Sequence, residues 1–398
     1  MTDGHCSRPF RRRVFFVPGF DPRSIGTYGA LLKSEGQKYA GDAFEMGRRR
    51  STGPCLERWP LTLHHDAQVV QTDYEFFVWR DLISNWMDVG LLETFRRLVG
   101  SGVLYIRSGT LRRVWQADKK MFACLIYPYW MACVMVALSI GLAWLVAAVF
   151  PDGPIGRITG VVAGIMVAII FLRWLRSVDG AHYVFWLTHY FDFSIRRDLP
   201  IHAEIEARRK MLADAIAEAR ASECYDEILI VGHSAGAMQA IHCIADHGVA
   251  IANAGNTPVT VLTVGQNLSL RTLQPAAESE RNAVLTVAGQ DYFAWIDVSS
   301  TKDWISFALL SPVQARDMKH NKPLDKPLIT ECNFIDLFDR ATLRWSGRNM
   351  IRAHFLFFHA SKNRAAWNWY DIILGPSLVR ERDFESAADS IVGRMADR

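Results

Sequence analysis

From Met121 to Phe150 the chain carries no charged side chain, a longer stretch than the roughly 20 residues a helix needs to cross the hydrocarbon core of a bilayer. The turn-forming stretch Pro151-Asp152-Gly153-Pro154-Ile155-Gly156-Arg157 ends it. A second apolar run, Ile158 to Leu172, follows and closes on Arg173, Trp174 and Arg176, the basic and aromatic anchors expected at a membrane interface. Two such runs joined by a short turn read as a transmembrane hairpin over 119–176; the alternative is a pair of buried helices in a large soluble core. Arg112, Arg113, Lys119 and Lys120 precede the hairpin and Arg173, Arg176, Arg196 and Arg197 follow it, whereas the connecting loop has only Arg157 against Asp152. The positive-inside rule then places both flanks in the cytoplasm.

The hairpin accounts for a composition that would otherwise be puzzling. Half of the 398 residues are hydrophobic and the mean hydropathy is slightly positive, at +0.05, and residues 121–172 hold that excess. The remainder is long enough for one large domain or two ordinary ones. A net charge of +4 with scattered arginines, such as Arg11 to Arg13 and Arg48 to Arg50, argues against nucleic-acid binding. The seven cysteines include no Cys-x-x-Cys pair, so neither a zinc site nor a disulfide framework is expected, and a reducing compartment fits. Met1 to Arg13 is polar and basic but precedes only a short apolar run, so it does not read as a signal peptide.

On either side of the hairpin, strand and helix patterns alternate. Val14 to Val17 reads as a buried strand running into Pro18-Gly19-Phe20-Asp21. Tyr28 to Tyr39 reads as a helix, Trp59 to Val70 as an extended segment and Thr72 to Trp79 as a second strand. After the hairpin, a helix over Ile201 to Ser222 leads into the buried strand Glu227 to Val231, and Val259 to Val264 and Tyr292 to Val298 repeat the strand pattern. Alternation of this kind predicts an α/β fold with a doubly wound, mostly parallel sheet. The strands before and after the hairpin belong to one such domain, so the hairpin is an insertion: 1–118 form its first part and 177–398 its second.

Gly232-His233-Ser234-Ala235-Gly236 directly follows the strand and directly precedes a small-residue helical stretch from Met238 to Ile244. In the strand, turn, helix setting Gly-x-Ser-x-Gly places a serine on a sharp turn, and its flanking glycines, Gly232 and Gly236, make room for that turn. Ser234 is therefore the candidate nucleophile. His233, adjacent in sequence, should point away from it and serve packing.

Residues 13–20 and 227–244 resemble the α/β-hydrolase superfamily, with a lipase-like character. That resemblance implies an oxyanion hole made by the backbone N–H groups of Phe20 and Ala235. It also implies the chain order serine, acid, histidine, which excludes His64 and His65. Asp303, in the loop after Tyr292 to Val298, is the expected acid, with Asp297 at the end of that strand as the alternative. His354, followed by an aromatic run, is the expected base, with His359 and then His320 behind it.

The expected activity is hydrolysis of an ester through an acyl-Ser234 intermediate, with no cofactor and no metal. A lipid-like or acyl-ester substrate is expected because the inserted hairpin suggests an active site opening near the bilayer. Acyl transfer, or a membrane scaffold that has kept the fold and lost activity, are the alternatives.

Overall fold

The computed structural model describes residues 8–65, 68–197, 199–314, 324–363 and 367–384. In chain order, β1 (Phe10–Val17), α1 (Ile25–Ala40), β2 (Phe44–Met46), β3 (Arg50–Gly53), β4 (Leu56–His65), β5 (Gln68–Phe77) and α2 (Arg80–Met87) come first. Five helices follow: α3 (Leu91–Arg107), α4 (Thr110–Ala117), α5 (Lys119–Ala147), α6 (Pro154–Ser177) and α7 (Val184–Ile195). Then come α8 (Pro200–Ala221), β6 (Glu227–His233), α9 (Gly236–Asn253), β7 (Val259–Val264), α10 (Leu268–Thr272), α11 (Glu278–Gly289), β8 (Ala294–Ser299) and β9 (Leu328–Glu331). The chain divides into two compact units, one of residues 1–85 with 198–398 and one of residues 86–197.

The first unit is α/β, built on a mixed nine-stranded sheet of order β2-β4-β5-β1-β6-β7-β8-β9, with β3 beside β4. Six strands, from β5 through β9 in that order, are parallel, and the antiparallel strands β4, β2 and β3 form one edge. The segment read as one extended piece over Trp59 to Val70 is two antiparallel strands, β4 turning into β5. Central strands covered on both faces lose the polar-apolar alternation, and here Ile228, Leu229, Ile230 and Val231 are all fully buried. Val14, Phe16, Leu229, Val231, Leu262 and Val264 face one core with α1 and the C-terminal helices. The other face of β6 is covered by α8 and α9.

β1 lies between β5 on one side and β6 on the other. Strand order reverses there, and in open parallel sheets the crevice beyond the strand ends at such a switch point is where ligands bind. At the opposite end of the same two strands, Arg12 and Glu227 form a fully buried pair at 2.8 Å. Arg12 also donates to the carbonyls of Gly375 and Ser377, and the Val379 amide donates to Glu227. These bonds satisfy the charges that burial strips of water and fasten the C-terminal segment to the sheet.

The second unit is helical. It is wider than the 119–176 drawn from the sequence, because α3, α4 and α7 also bury their apolar faces within it. Every side chain of α7 except Trp186 is buried, Tyr105 donates to the Phe191 carbonyl, and Ser101 meets the Tyr129 hydroxyl at 3.0 Å. Asp118 caps α5 by accepting from the amides of Lys120 and Met121, satisfying N–H groups that have no helical partner.

α5 and α6 are long and apolar enough to cross a membrane, with mean hydropathy 2.2 and 2.3 over their most apolar stretches. Only 17% and 11% of those stretches are buried, which is not the pattern of core helices in a soluble domain. The two helices pack closely on glycines: a Cβ at Gly160 would lie 2.9 Å from the Ala147 carbonyl oxygen, and one at Gly164 2.5 Å from that of Ala143. Small residues at such contacts let helix backbones approach in an apolar solvent.

Candidate active site

β6 ends in a turn so sharp that Ser234 adopts φ +55°, a left-handed conformation that costs a non-glycine residue roughly 1–2 kcal/mol. The turn is held by the Ser234 amide donating to the Val264 carbonyl at 3.0 Å and by the Ala237 amide donating to the Ser234 carbonyl at 3.1 Å. Both flanking glycines are required sterically. A Cβ at Gly232 would lie 2.5 Å from Ala237 Cα, and one at Gly236 would lie 2.3 Å from the carbonyl oxygens of Val17 and Pro18.

The parallel register pairs Val17 with Gly232, so the Pro18-Gly19-Phe20 loop emerges beside the serine. A Cβ on Gly19 would sit 3.0 Å from Ser234 Cβ. Trp79 fastens this loop, its indole donating to the Pro18 carbonyl at 3.0 Å and its ring meeting Phe20 edge-on. Asp21 accepts from Arg23 and from the Tyr28 hydroxyl, which secures the loop's far side. Phe20 is buried, and Ala235 is half-buried where α9 begins; the first amides of a helix have no intrahelical acceptor.

Asp303 and His354 meet 51 residues apart in sequence, Asp303 Oδ2 lying 2.7 Å from His354 Nδ1 with both side chains buried. The Ile305 amide donates to Asp303 Oδ1 at 3.0 Å, which fixes the carboxylate. A carboxylate facing Nδ1 selects the tautomer with its proton there and leaves a lone pair on Nε2. That Nε2 is buried and has no hydrogen-bond partner among the described residues.

The pair lies against the backbone that also holds the serine. Gly265, directly after the Val264 that accepts from Ser234, has φ +53°, and a Cβ there would lie 3.2 Å from His354 Cε1 and 3.3 Å from Asp303 Oδ2. His233 lies 4.5 Å from the His354 ring, tilted 33° to it, between Phe16, Phe355 and Phe358. Burial, with His354 beside it, pushes the His233 imidazole well below its usual pKa, so it is a neutral packing residue. Ser234 Oγ accepts a hydrogen bond from the Asn267 side-chain amide at 3.3 Å.

The alternatives lie elsewhere. Asp297 accepts from the Thr263 hydroxyl at 2.5 Å inside the sheet, where burial pushes its carboxyl up to about 7. His359 lies 3.4 Å from Glu35 of α1. Despite burial, which acts the other way, the hydrogen bonds of His359 and Lys38 hold the Glu35 carboxyl down to about 2. His320 falls outside the described residues. Among the described residues, no group of three His, Cys, Asp or Glu side chains converges as metal ligands would.

No family model, curated protein or solved structure matches the chain. Sequence reasoning missed Trp79, Gly265 and Asn267. The available signal was position: Gly265-Gln266-Asn267 directly follows a parallel strand next to that of the serine, and loops at that end of a parallel sheet line the ligand crevice.

Proposed function

We propose that this chain is a membrane-anchored serine hydrolase of α/β-hydrolase type that cleaves esters through an acyl-Ser234 intermediate. The observation that carries this reading is the buried Asp303–His354 pair packed against Gly265, which directly follows the Val264 carbonyl that anchors the strained Ser234 turn. A base oriented by a buried acid is what an activated serine requires, and strained backbone concentrates where function requires it.

In the reaction Ser234 Oγ leaves Asn267 by rotation about χ1 and attacks the ester carbonyl carbon while its proton passes to His354 Nε2. Asp303 stabilises the resulting imidazolium. The carbonyl electron pair moves onto oxygen, where the amides of Ala235 and Phe20 stabilise it; one such donor is worth about 3–4 kcal/mol of barrier. Collapse of this intermediate expels the alcohol, which takes the His354 proton. Water, deprotonated by the same nitrogen, then releases the acid and regenerates the serine.

The hairpin α5–α6 supports an integral membrane protein, and the basic flanks support a cytoplasmic catalytic unit. A chain so anchored has a local supply of acyl lipids, so long-chain esters are the proposed substrates. Covalent labelling by a fluorophosphonate probe tests the chemistry in intact membranes: wild type is expected to label, and Ser234→Ala and His354→Ala are not. Labelling of wild type no stronger than of Ser234→Ala would end the hydrolase reading.

A further inference from the structure

α3 is apolar on two faces. Its inner face, with Leu98, Ser101 and Tyr105 buried, packs within the helical unit. On the opposite side Leu92, Val99, Val103 and Ile106 are 86%, 64%, 39% and 66% exposed. At 3.6 residues per turn these spacings form one continuous stripe, where a helix facing water would carry polar groups. Exposed Arg96 and Arg107 border it. α4 extends the surface with exposed Arg112 and with Trp115, which packs on Phe122 of α5 at 4.8 Å under the Lys119 ammonium.

The stripe lies beside the N-terminal half of α5. One face of α5 is buried from Met121 through Pro128 and Ala132 to Met135 and Ser139, whereas on its other faces Trp130 is 62% exposed and Leu138, Ile140 and Trp144 continue the exposed apolar surface. Its 29 residues make a helix of about 43 Å against a hydrocarbon core of about 30 Å, so about two turns stand outside that core. α3 touches α5 about three turns into that helix: a Cβ on Gly102 would lie 2.8 Å from the Tyr129 ring.

Between residues 91 and 120 the chain has seven Arg and Lys residues against Glu93 and Asp118. We propose that α3 and α4 lie in the headgroup layer of the leaflet entered by both ends of the hairpin, with the apolar stripe in the acyl boundary and the basic residues on anionic phospholipid. An apolar stripe with aromatic and basic borders is the surface of an interfacial helix. A second copy is disfavoured as occupant, because a two-fold contact sets each basic border against its own image. The inference rests on the membrane reading of α5 and α6 and is independent of the chemistry at Ser234.

The test uses the full chain in phosphatidylcholine nanodiscs with and without phosphatidylglycerol. Cys6, Cys133 and Cys224 are replaced by alanine, and single nitroxides are placed by Val99→Cys, Val103→Cys, Leu138→Cys in the hairpin and Asp214→Cys on α8. With phosphatidylglycerol, oxygen accessibility relative to a water-soluble nickel chelate is expected to be severalfold higher at 99 and 103 than at 214, approaching the value at 138. Arg107→Gln with Arg112→Gln should erase the gain that phosphatidylglycerol brings. Values at 99 and 103 equal to that at 214, with 138 in the bilayer, overturn this inference alone. A value at 138 equal to that at 214 overturns the membrane reading along with it. Shielding of 99 and 103 from both collision partners, with dipolar coupling between copies, assigns the stripe to self-association and overturns the proposal. A wild type indifferent to phosphatidylglycerol overturns its anionic part.

Discussion

The side-chain amide of Asn267 donates to Ser234 Oγ at 3.3 Å, while His354 Nε2, the proposed acceptor of the serine proton, is buried without a partner among the described residues. The serine hydroxyl is thus held by a residue of the loop after β7. In the proposed reaction, rotation about χ1 of Ser234 turns Oγ from Asn267 toward His354.

Asn267→Ala removes the hydrogen bond that holds the hydroxyl in its resting arrangement. In the proposed reaction that contact breaks before attack, so losing a neutral hydrogen bond of about 1 kcal/mol is expected to raise the labelling rate by up to about fivefold. Asn267→Asp should label more slowly than wild type, because a carboxylate accepts a strong hydrogen bond from Oγ–H and holds the serine in the resting arrangement. Phosphonate labelling kinetics of both variants check this; rates equal to wild type would reduce Asn267 to packing.

Asp303→Asn is nearly isosteric, but the Ile305 amide claims the remaining carbonyl oxygen, which turns the new NH2 toward His354. That forces the imidazole proton onto Nε2, where it blocks acceptance from Ser234. Ester turnover is expected to fall by about 10³–10⁴ with little change in unfolding temperature. A loss below tenfold would argue that Asp303 is not the orienting acid.

Gly265→Ala combines a left-handed backbone, costing roughly 1–2 kcal/mol, with a Cβ 2.9 Å from Phe357 and 3.2 Å from His354. A fall in apparent Tm is expected together with loss of labelling, because His354 must shift. Gly109→Ala is the control: it is left-handed, with φ +71°, and nothing lies within 4 Å of its Cβ, so it should lose a similar strain energy and keep its labelling. Equal labelling in the two variants would contradict the packing of Gly265 on the His354 pair.

Asp297 makes stability depend on pH. Its carboxyl titrates near 7 in the folded chain and near 4 when unfolded, so between these values the unfolded chain has lost a proton that the folded chain keeps. Folding is therefore weakened by this group as pH rises from about 4 to about 7, by up to about 4 kcal/mol, and no further above 7. Asp297→Asn cannot ionise. The stability difference, variant minus wild type, should grow across that window in denaturant titrations, and a pH-independent difference would contradict the burial of a protonated Asp297.

Much of the architecture was legible because it depends on local signals. An uncharged run longer than a bilayer, a buried strand running into Gly-His-Ser-Ala-Gly, and the alternation of strands with helices each read from a short window. What such windows lack is pairing. Nothing near Arg12 indicates that its guanidinium is buried against Glu227, and nothing near Leu91 to Arg107 distinguishes a helix with two apolar faces from an ordinary amphipathic one.

The serine turn itself was set by the sequence, since the two glycines are the residues that the approach of Ala237 and of the Val17 and Pro18 carbonyls permits. The partners of the serine were decided by tertiary structure. Asp303 and Asp297 are equivalent as letters, as are His354 and His359; the parallel stacking of β6, β7 and β8 turns Asp297 into the sheet against Thr263 and carries Asp303 beyond the strand end to His354. Asn267 and Gly265 acquire meaning only from β7 lying beside β6. Side chains far apart along the chain meet where strand register brings their loops to the same end of the sheet, and register is a property of the whole sheet rather than of any segment in it.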